Sequence, residues 1–216
     1  ALPELVAVHT SRGLCLHEMG RPEESLAGFR AVLEIAPDHL ESLNNCAVIL
    51  IDLDRAEEAL AHADRAVAAH PGAWTAHRQR GHVLGALNRH AAAAACYDRV
   101  LADQPDDLAS RVNRGTCLRK LHRNRAALAD FQHVLDRAPF HREALNNRAS
   151  LLRDLGRNGE AAATYRLLRQ HHPDHPRAEG NLLNAGLMGC DWGDLDALQP
   201  SIVAAVRAGT AADTPF

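Results

Sequence analysis

Small, apolar and turn-forming residues return along this chain every 34 positions. The clearest marker is proline: Pro3, Pro37, Pro71, Pro105, Pro139 and Pro173 stand 34 residues apart, a spacing that identifies an internal repeat. With Pro37 placed at position 32 of a unit, five complete units run 6–39, 40–73, 74–107, 108–141 and 142–175. Residues 1–5 end a preceding repeat, and 176–216 hold a sixth, partial unit. Position 8 is small throughout (Gly13, Ala47, Gly81, Gly115, Ala149), as is position 20 (Ser25, Ala59, Ala93, Ala127, Ala161). Position 24 is aromatic in four units (Phe29, Tyr97, Phe131, Tyr165) and Ala63 in the other. Leucine fills position 11 (Leu16, Leu50, Leu84, Leu118, Leu152), and position 27 is aliphatic or small (Val32, Ala66, Val100, Val134, Leu168).

This spacing predicts two helices per unit. Positions 8 and 11 share one helical face, and 20, 24 and 27 share a face of a second helix. Small side chains let the two helices approach, and the ring at position 24 fills the space between them. Turn formers near position 15 (Gly20, Asp54, Asn88, His122, Gly156) separate the helices. Proline at position 32 stops the second helix, because it lacks the amide donor and disfavours helical geometry in its predecessor.

Composition narrows the function. Apolar residues are 46% but aromatics only 4%, a mixture dominated by helix formers. A net charge of −3 supplies no field for nucleic acid or an anionic membrane. No apolar run reaches the roughly 18 residues of a membrane helix, and a cytoplasmic setting is expected. The five cysteines include no C-x-x-C pair, so reduced, packed thiols are expected rather than disulfides or zinc. Glycine-rich phosphate loops, G-x-S-x-G and H-E-x-x-H are absent from the sequence. The chain therefore reads as a binding scaffold that needs no metal or cofactor and has no catalytic residues. A homodimer is compatible with the sequence.

The columns resemble the tetratricopeptide repeat over residues 6–175, with one departure. Position 4, often aromatic in that family, is His9, Leu43, His77, Arg111 and Leu145. The resemblance implies an all-α fold, a right-handed superhelical solenoid of antiparallel helix pairs with a concave groove and a C-terminal capping helix. Pro3 on the same register implies an array that continues upstream.

In this family the first helix of each unit lines the groove, through positions 2, 6, 9 and 13. Position 6 reads Ser11, Asn45, Gln79, Asn113, Asn147 and, in the sixth unit, Asn181. An amide offers both a donor and an acceptor, so the ladder suits the backbone of a protein or peptide in extended conformation. Alternatively, each amide bonds a neighbouring repeat. The cationic clamp with which some members hold a C-terminal carboxylate is absent: position 2 is Ala7, Glu41, Thr75, Ala109, Glu143, and position 5 is Thr10, Asn44, Arg78, Val112, Asn146. Arg111, Arg114, Arg119, Lys120, Arg123 and Arg125 make the fourth unit basic, which reads as a solvated face or an acidic-partner patch. His171, His172 and His175 flank Pro173 and read as turn residues rather than metal ligands.

The sixth unit breaks the period at "GCDWGDLD" (189–196). Leu198, Ile202, Val203 and Val206 share an apolar face, which predicts a last helix capping the stack. The wording Asn181-Leu182 followed by Cys190-Asp191-Trp192, Asp194, Asp196 and then Ile202-Val203 resembles the junction at which the repeats of O-linked N-acetylglucosamine transferases, including bacterial SPINDLY-like members, meet their catalytic lobes. The resemblance implies that Cys190, Asp191, Trp192 and Asp194 form a junction and cap. It also implies that a UDP-sugar-dependent catalytic region follows Phe216, and that "TAADTPF" is no natural domain terminus. The expected role is recognition of acceptor proteins, with a stand-alone adaptor as the alternative.

Overall fold

The computed structural model describes residues 2–175 and 178–189. They form helices joined by short turns, without strands among the described residues, and within each unit consecutive helices pack on one another. The chain divides into two compact units, residues 1–121 and 122–216. The first contains α1 (Leu2–Glu18), α2 (Pro22–Ile35), α3 (Leu40–Asp52), α4 (Ala56–Ala69), α5 (Trp74–Ala86), α6 (His90–Asp103) and α7 (Leu108–Lys120). Described in the second are α8 (Asn124–Arg137), α9 (Arg142–Asp154), α10 (Asn158–His171) and α11 (Ala178–Met188). The capping helix expected after Met188 lies outside the described residues, as do Cys190, Asp191, Trp192 and Asp194.

The columns read from the sequence are the core. Positions 20 and 27 are fully buried in all five repeats, and the ring or Ala63 at position 24 is at most 2% exposed. Close approach decides position 8. A Cβ on Gly13 would lie 2.9 Å from the Phe29 ring, and one on Gly81 would lie 3.0 Å from the Tyr97 ring; ordinary carbon contacts begin near 3.5 Å. Ser25 is the polar exception at position 20, and its hydroxyl donates to the Gly13 carbonyl at 2.6 Å, which removes the cost of burying it.

Each predicted turn inside a repeat is made by one residue in the left-handed region. Gly20 and Gly156 have φ of 71° and 72°, and Asp54, Asn88 and His122 have 59°, 57° and 57°. Glycine takes this conformation without steric cost, Asp and Asn tolerate it, and histidine does so less readily. His122→Gly is therefore expected to raise stability by about 0.5–1 kcal/mol, read as a higher denaturant midpoint at unchanged slope.

Surface pairs repeat as well. Arginine occupies position 16 of every repeat (Arg21, Arg55, Arg89, Arg123, Arg157). Arg21, Arg55 and Arg157 each grip the glutamate three residues on through two bonds of 2.6–2.8 Å. These pairs are exposed and contribute little individually. The departures at position 4 also have a use: His77 donates to the Pro71 carbonyl at 2.9 Å and Arg111 to that of Pro105 at 2.7 Å, whereas Leu43 and Leu145 are buried.

One histidine links stability to pH. Half-buried His62 on α4 is held below the ordinary imidazole value by desolvation first, then by Arg30 and Arg65. The folded chain thus binds this proton less tightly than the unfolded chain. Stability is complete above the unfolded value, about 6.5, and declines as pH falls through it toward the lower folded value. His62→Gln is expected to flatten that part of the decline, measured by urea unfolding between about pH 7.5 and 5.

Candidate functional site

The cavity most closely matched to the predicted ladder lies in the first unit, where α3 and α5 face one another. It encloses about 670 Å³. Asn44, Asn45 and Val48 line it from α3, and Thr75, Arg78 and Gln79 line it from α5. Helical spacing explains the grouping, since Asn44, Asn45 and Val48 lie within one turn, as do Thr75, Arg78 and Gln79. The α3–α5 walls are held apart by buried side chains beneath, with Leu43, Ala47 and Ala76 all fully buried.

Two polar atoms of residues that line this cavity are buried from solvent and lack a partner: the Asn44 Oδ1 acceptor and the Gln79 Nε2 donor. Each such atom costs a free protein about 1–3 kcal/mol. They stand on opposite walls, one an acceptor and the other a donor. A peptide group carries the complementary pair, an N–H and a C=O pointing in opposite directions.

Charge is distributed asymmetrically around the rim. Asp38 and Glu41 stand on the α3 side; Asp38 is engaged by Arg65 at 3.3 Å, and Glu41 makes no ion pair among the described residues. Arg78, on the α5 side, is 4.8 Å from the centre of the Trp74 ring and 4.0 Å from the Asp107 carboxylate. These contacts hold the guanidinium at the cavity edge. His39 caps α3, its Nδ1 accepting from the Ser42 amide at 3.4 Å, and His70 Nε2 donates to the Asp38 carbonyl at 2.6 Å. Both imidazoles are occupied by the local backbone.

The predicted ladder is not uniform. Asn45 and Gln79 share the cavity. Asn113 hydrogen-bonds the buried Tyr97 hydroxyl, whose pKa is raised chiefly by burial. Asn181 accepts from Arg153 at 3.3 Å, a bond to the neighbouring repeat. Asn147 also has an interaction partner, and Asn147 and Asn181 belong to the second unit. Asn44, one residue from the ladder column, and Arg78 join the cavity as well; position 5 reads in the sequence only as the missing cationic clamp.

Other groups are structural. His171 stacks on Phe140 with ring centres 3.5 Å apart, and His172 bonds the Phe140 carbonyl. In the basic fourth repeat, Arg114 pairs with Asp98 at 2.8 Å. Burial pushes the Cys46 thiol up to about 11 and raises Cys96 and Cys117, which makes them poor nucleophiles. Among the described residues no cluster of three or more His, Cys, Asp or Glu could hold a metal ion, and no helix is long and apolar enough to cross a membrane.

Tetratricopeptide-repeat family models match residues 4–72, 47–107, 78–124 and 115–176. The chain belongs to the tetratricopeptide-repeat family. Solved structures agree on the fold. PilW, a type IV pilus biogenesis factor, superposes with a TM-score of 0.85 at 18% identity, covering 92% of each chain. Pseudomonas aeruginosa pilF gives 0.82 at 18% identity over 96% of this chain and 93% of its own. YrrB, described as a tetratricopeptide-repeat protein with an unusual peptide-binding site, gives 0.65 at 20% identity over 79% and 88%. Comparison with curated protein sequences gives no match.

Proposed function

We propose that this tetratricopeptide-repeat protein binds an extended polypeptide in the α3–α5 cavity, reading its backbone rather than a fixed side-chain sequence. The observation that carries the reading is the buried, unpartnered pair of Asn44 Oδ1 and Gln79 Nε2 across one cavity. A peptide N–H donating to Asn44 and the C=O accepting from Gln79 satisfies both. Asn45 and Thr75 add polar contacts, and Val48 supplies an apolar floor. The peptide-binding description of YrrB is in keeping with this use of the fold.

The test is an NMR titration with short unstructured peptides, each paired with a copy N-methylated at one central amide. Shifts confined to α3 and α5, with affinity that tolerates side-chain exchange but drops about tenfold on N-methylation, fit one lost backbone hydrogen bond. Equal affinity for methylated and unmethylated peptides contradicts backbone reading.

A finer role follows from the phrase at 190–196. Its likeness to the transferase junction favours a module that presents acceptor proteins to a SPINDLY-like, UDP-sugar-dependent catalytic region, rather than a stand-alone adaptor. The reading frame beyond Phe216 decides between them. Two nucleotide-binding lobes there support acceptor presentation, and a stop codon or an unrelated domain rules it out.

A further inference from the structure

The two walls of the α3–α5 cavity differ in sign. Histidines aside, the charged residues of α3 are Glu41 and Asp52, and those of α5 are Arg78 and Arg80. One groove helix is therefore purely acidic and its neighbour purely basic. Three of the four charges are engaged within the chain. Asp52 meets His17 at 3.0 Å and Arg80 meets Asp64 at 2.6 Å, and neither Asp52 nor Arg80 lines the cavity. Arg78 does line it, held over the Trp74 ring and 4.0 Å from the Asp107 carboxylate. Glu41 lines the opposite wall, is exposed, and makes no ion pair among the described residues. The other rim carboxylate, Asp38, is already met by Arg65 at 3.3 Å.

The hydrogen-bonding groups share this polarity. The unpartnered atom on α3 is an acceptor, Asn44 Oδ1, and that on α5 is a donor, Gln79 Nε2. Glu41 stands three residues before Asn44 and four before Asn45, spacings that put side chains on one face of a helix. The α3 wall thus sets a carboxylate without a counter-charge beside an acceptor without a donor. Both favour a ligand group that brings N–H donors and positive charge.

We infer that the cavity selects, among extended polypeptides, segments with a lysine or arginine beside the held peptide group, and that Glu41 takes the cation. This rests on the backbone reading proposed above and adds the class of segment to it. The hydrogen bonds place the chain whatever its neutral side chains, and the charge grades it. An acidic side chain at the same place meets repulsion from Glu41, while the guanidinium across the cavity already has Asp107 beside it.

Three unstructured peptides test this, identical except for Lys, Ala or Glu next to the central amide and otherwise uncharged. Each is titrated into the full chain by NMR in about 0.1 M salt, with N-methylated copies alongside. Shifts in α3 and α5 are expected, with affinity falling from Lys to Ala to Glu by about threefold per step, the scale of an exposed ion pair. The spread should collapse in 1 M salt, where the Debye length shrinks from about 10 to about 3 Å. Glu41→Gln should erase the spread, and Glu41→Lys should invert it. Asp52→Asn removes the same charge from the same helix, eleven residues on and about 16 Å along its axis, and should leave the spread intact. Glu41 is exposed, so the variants keep the parent helicity; Gln serves if Lys disturbs the first turn of α3.

Equal affinity for the three peptides, or a spread that survives Glu41→Gln, overturns the inference; a loss of affinity on N-methylation then still supports backbone reading. A spread that depends on Glu41, with no effect of N-methylation, keeps the cation site and removes the backbone reading. If no peptide shifts α3 and α5, both fall.

Discussion

Phe29→Ala is expected to cost about 3–5 kcal/mol and to unfold the α1–α2 pair locally. The magnitude is that of an aromatic removed from a filled core. Phe29 is fully buried, and its ring stands where a Cβ on Gly13 would be only 2.9 Å away. Glycine has no side chain with which to close the space left behind, so the site cannot collapse cheaply. In a repeat array each pair depends mainly on its neighbours, and the loss falls on α1 and α2 before it reaches α5 and α6. Amide hydrogen exchange reads this directly: protection in α1 and α2 should vanish while that in α5 and α6 persists. Phe140→Ala, removing a ring 48% exposed, should change stability by less than about 0.5 kcal/mol. If Phe29→Ala behaves like Phe140→Ala, the ring-on-glycine packing is not what joins the pair.

That packing was legible in the sequence because it recurs. Gly13 with Phe29 and Gly81 with Tyr97 fall in the same two columns, so backbone approach and ring filling are visible as a covariation within one chain. The exception follows the same logic: where position 24 is Ala63, position 8 is Ala47 and the space is shared with Leu43, Cys46 and Leu50. The turns were legible for a related reason. Only residues tolerant of positive φ recur at position 15, and His122 shows that the geometry is imposed by the fold even where the residue is less suited.

The site was less legible, because a column fixes where a side chain starts and not what it meets. Asn113 lies near a tyrosine hydroxyl, which Tyr97 supplies and which Ala63 cannot supply one repeat earlier. Asn181 finds the long guanidinium of Arg153. Asn45 and Gln79 border repeats whose neighbouring side chains leave an open cavity, and there Asn44, from the adjacent column, becomes as important as the ladder itself. Partners from other columns, invisible to the period, separate amides that bond within the chain from amides left for a ligand.

Asn44→Leu and Gln79→Leu are expected to move stability and affinity in opposite directions. In the free protein Asn44 Oδ1 and Gln79 Nε2 are buried without partners, and replacing each by an apolar group of similar size removes that cost. Each substitution should stabilise the chain by about 1 kcal/mol, visible as a raised denaturant midpoint. Each should also delete one hydrogen bond to a bound peptide and weaken binding about tenfold, with the double substitution approaching a hundredfold. If the two amides serve only to hold α3 to α5, the stability change has the opposite sign, since an existing bond is then being removed. Urea unfolding and calorimetric titration on the same three variants separate the cases. A gain in stability together with a loss of affinity is the signature of polar groups kept unpaired for a ligand, and no purely structural role for Asn44 and Gln79 produces it.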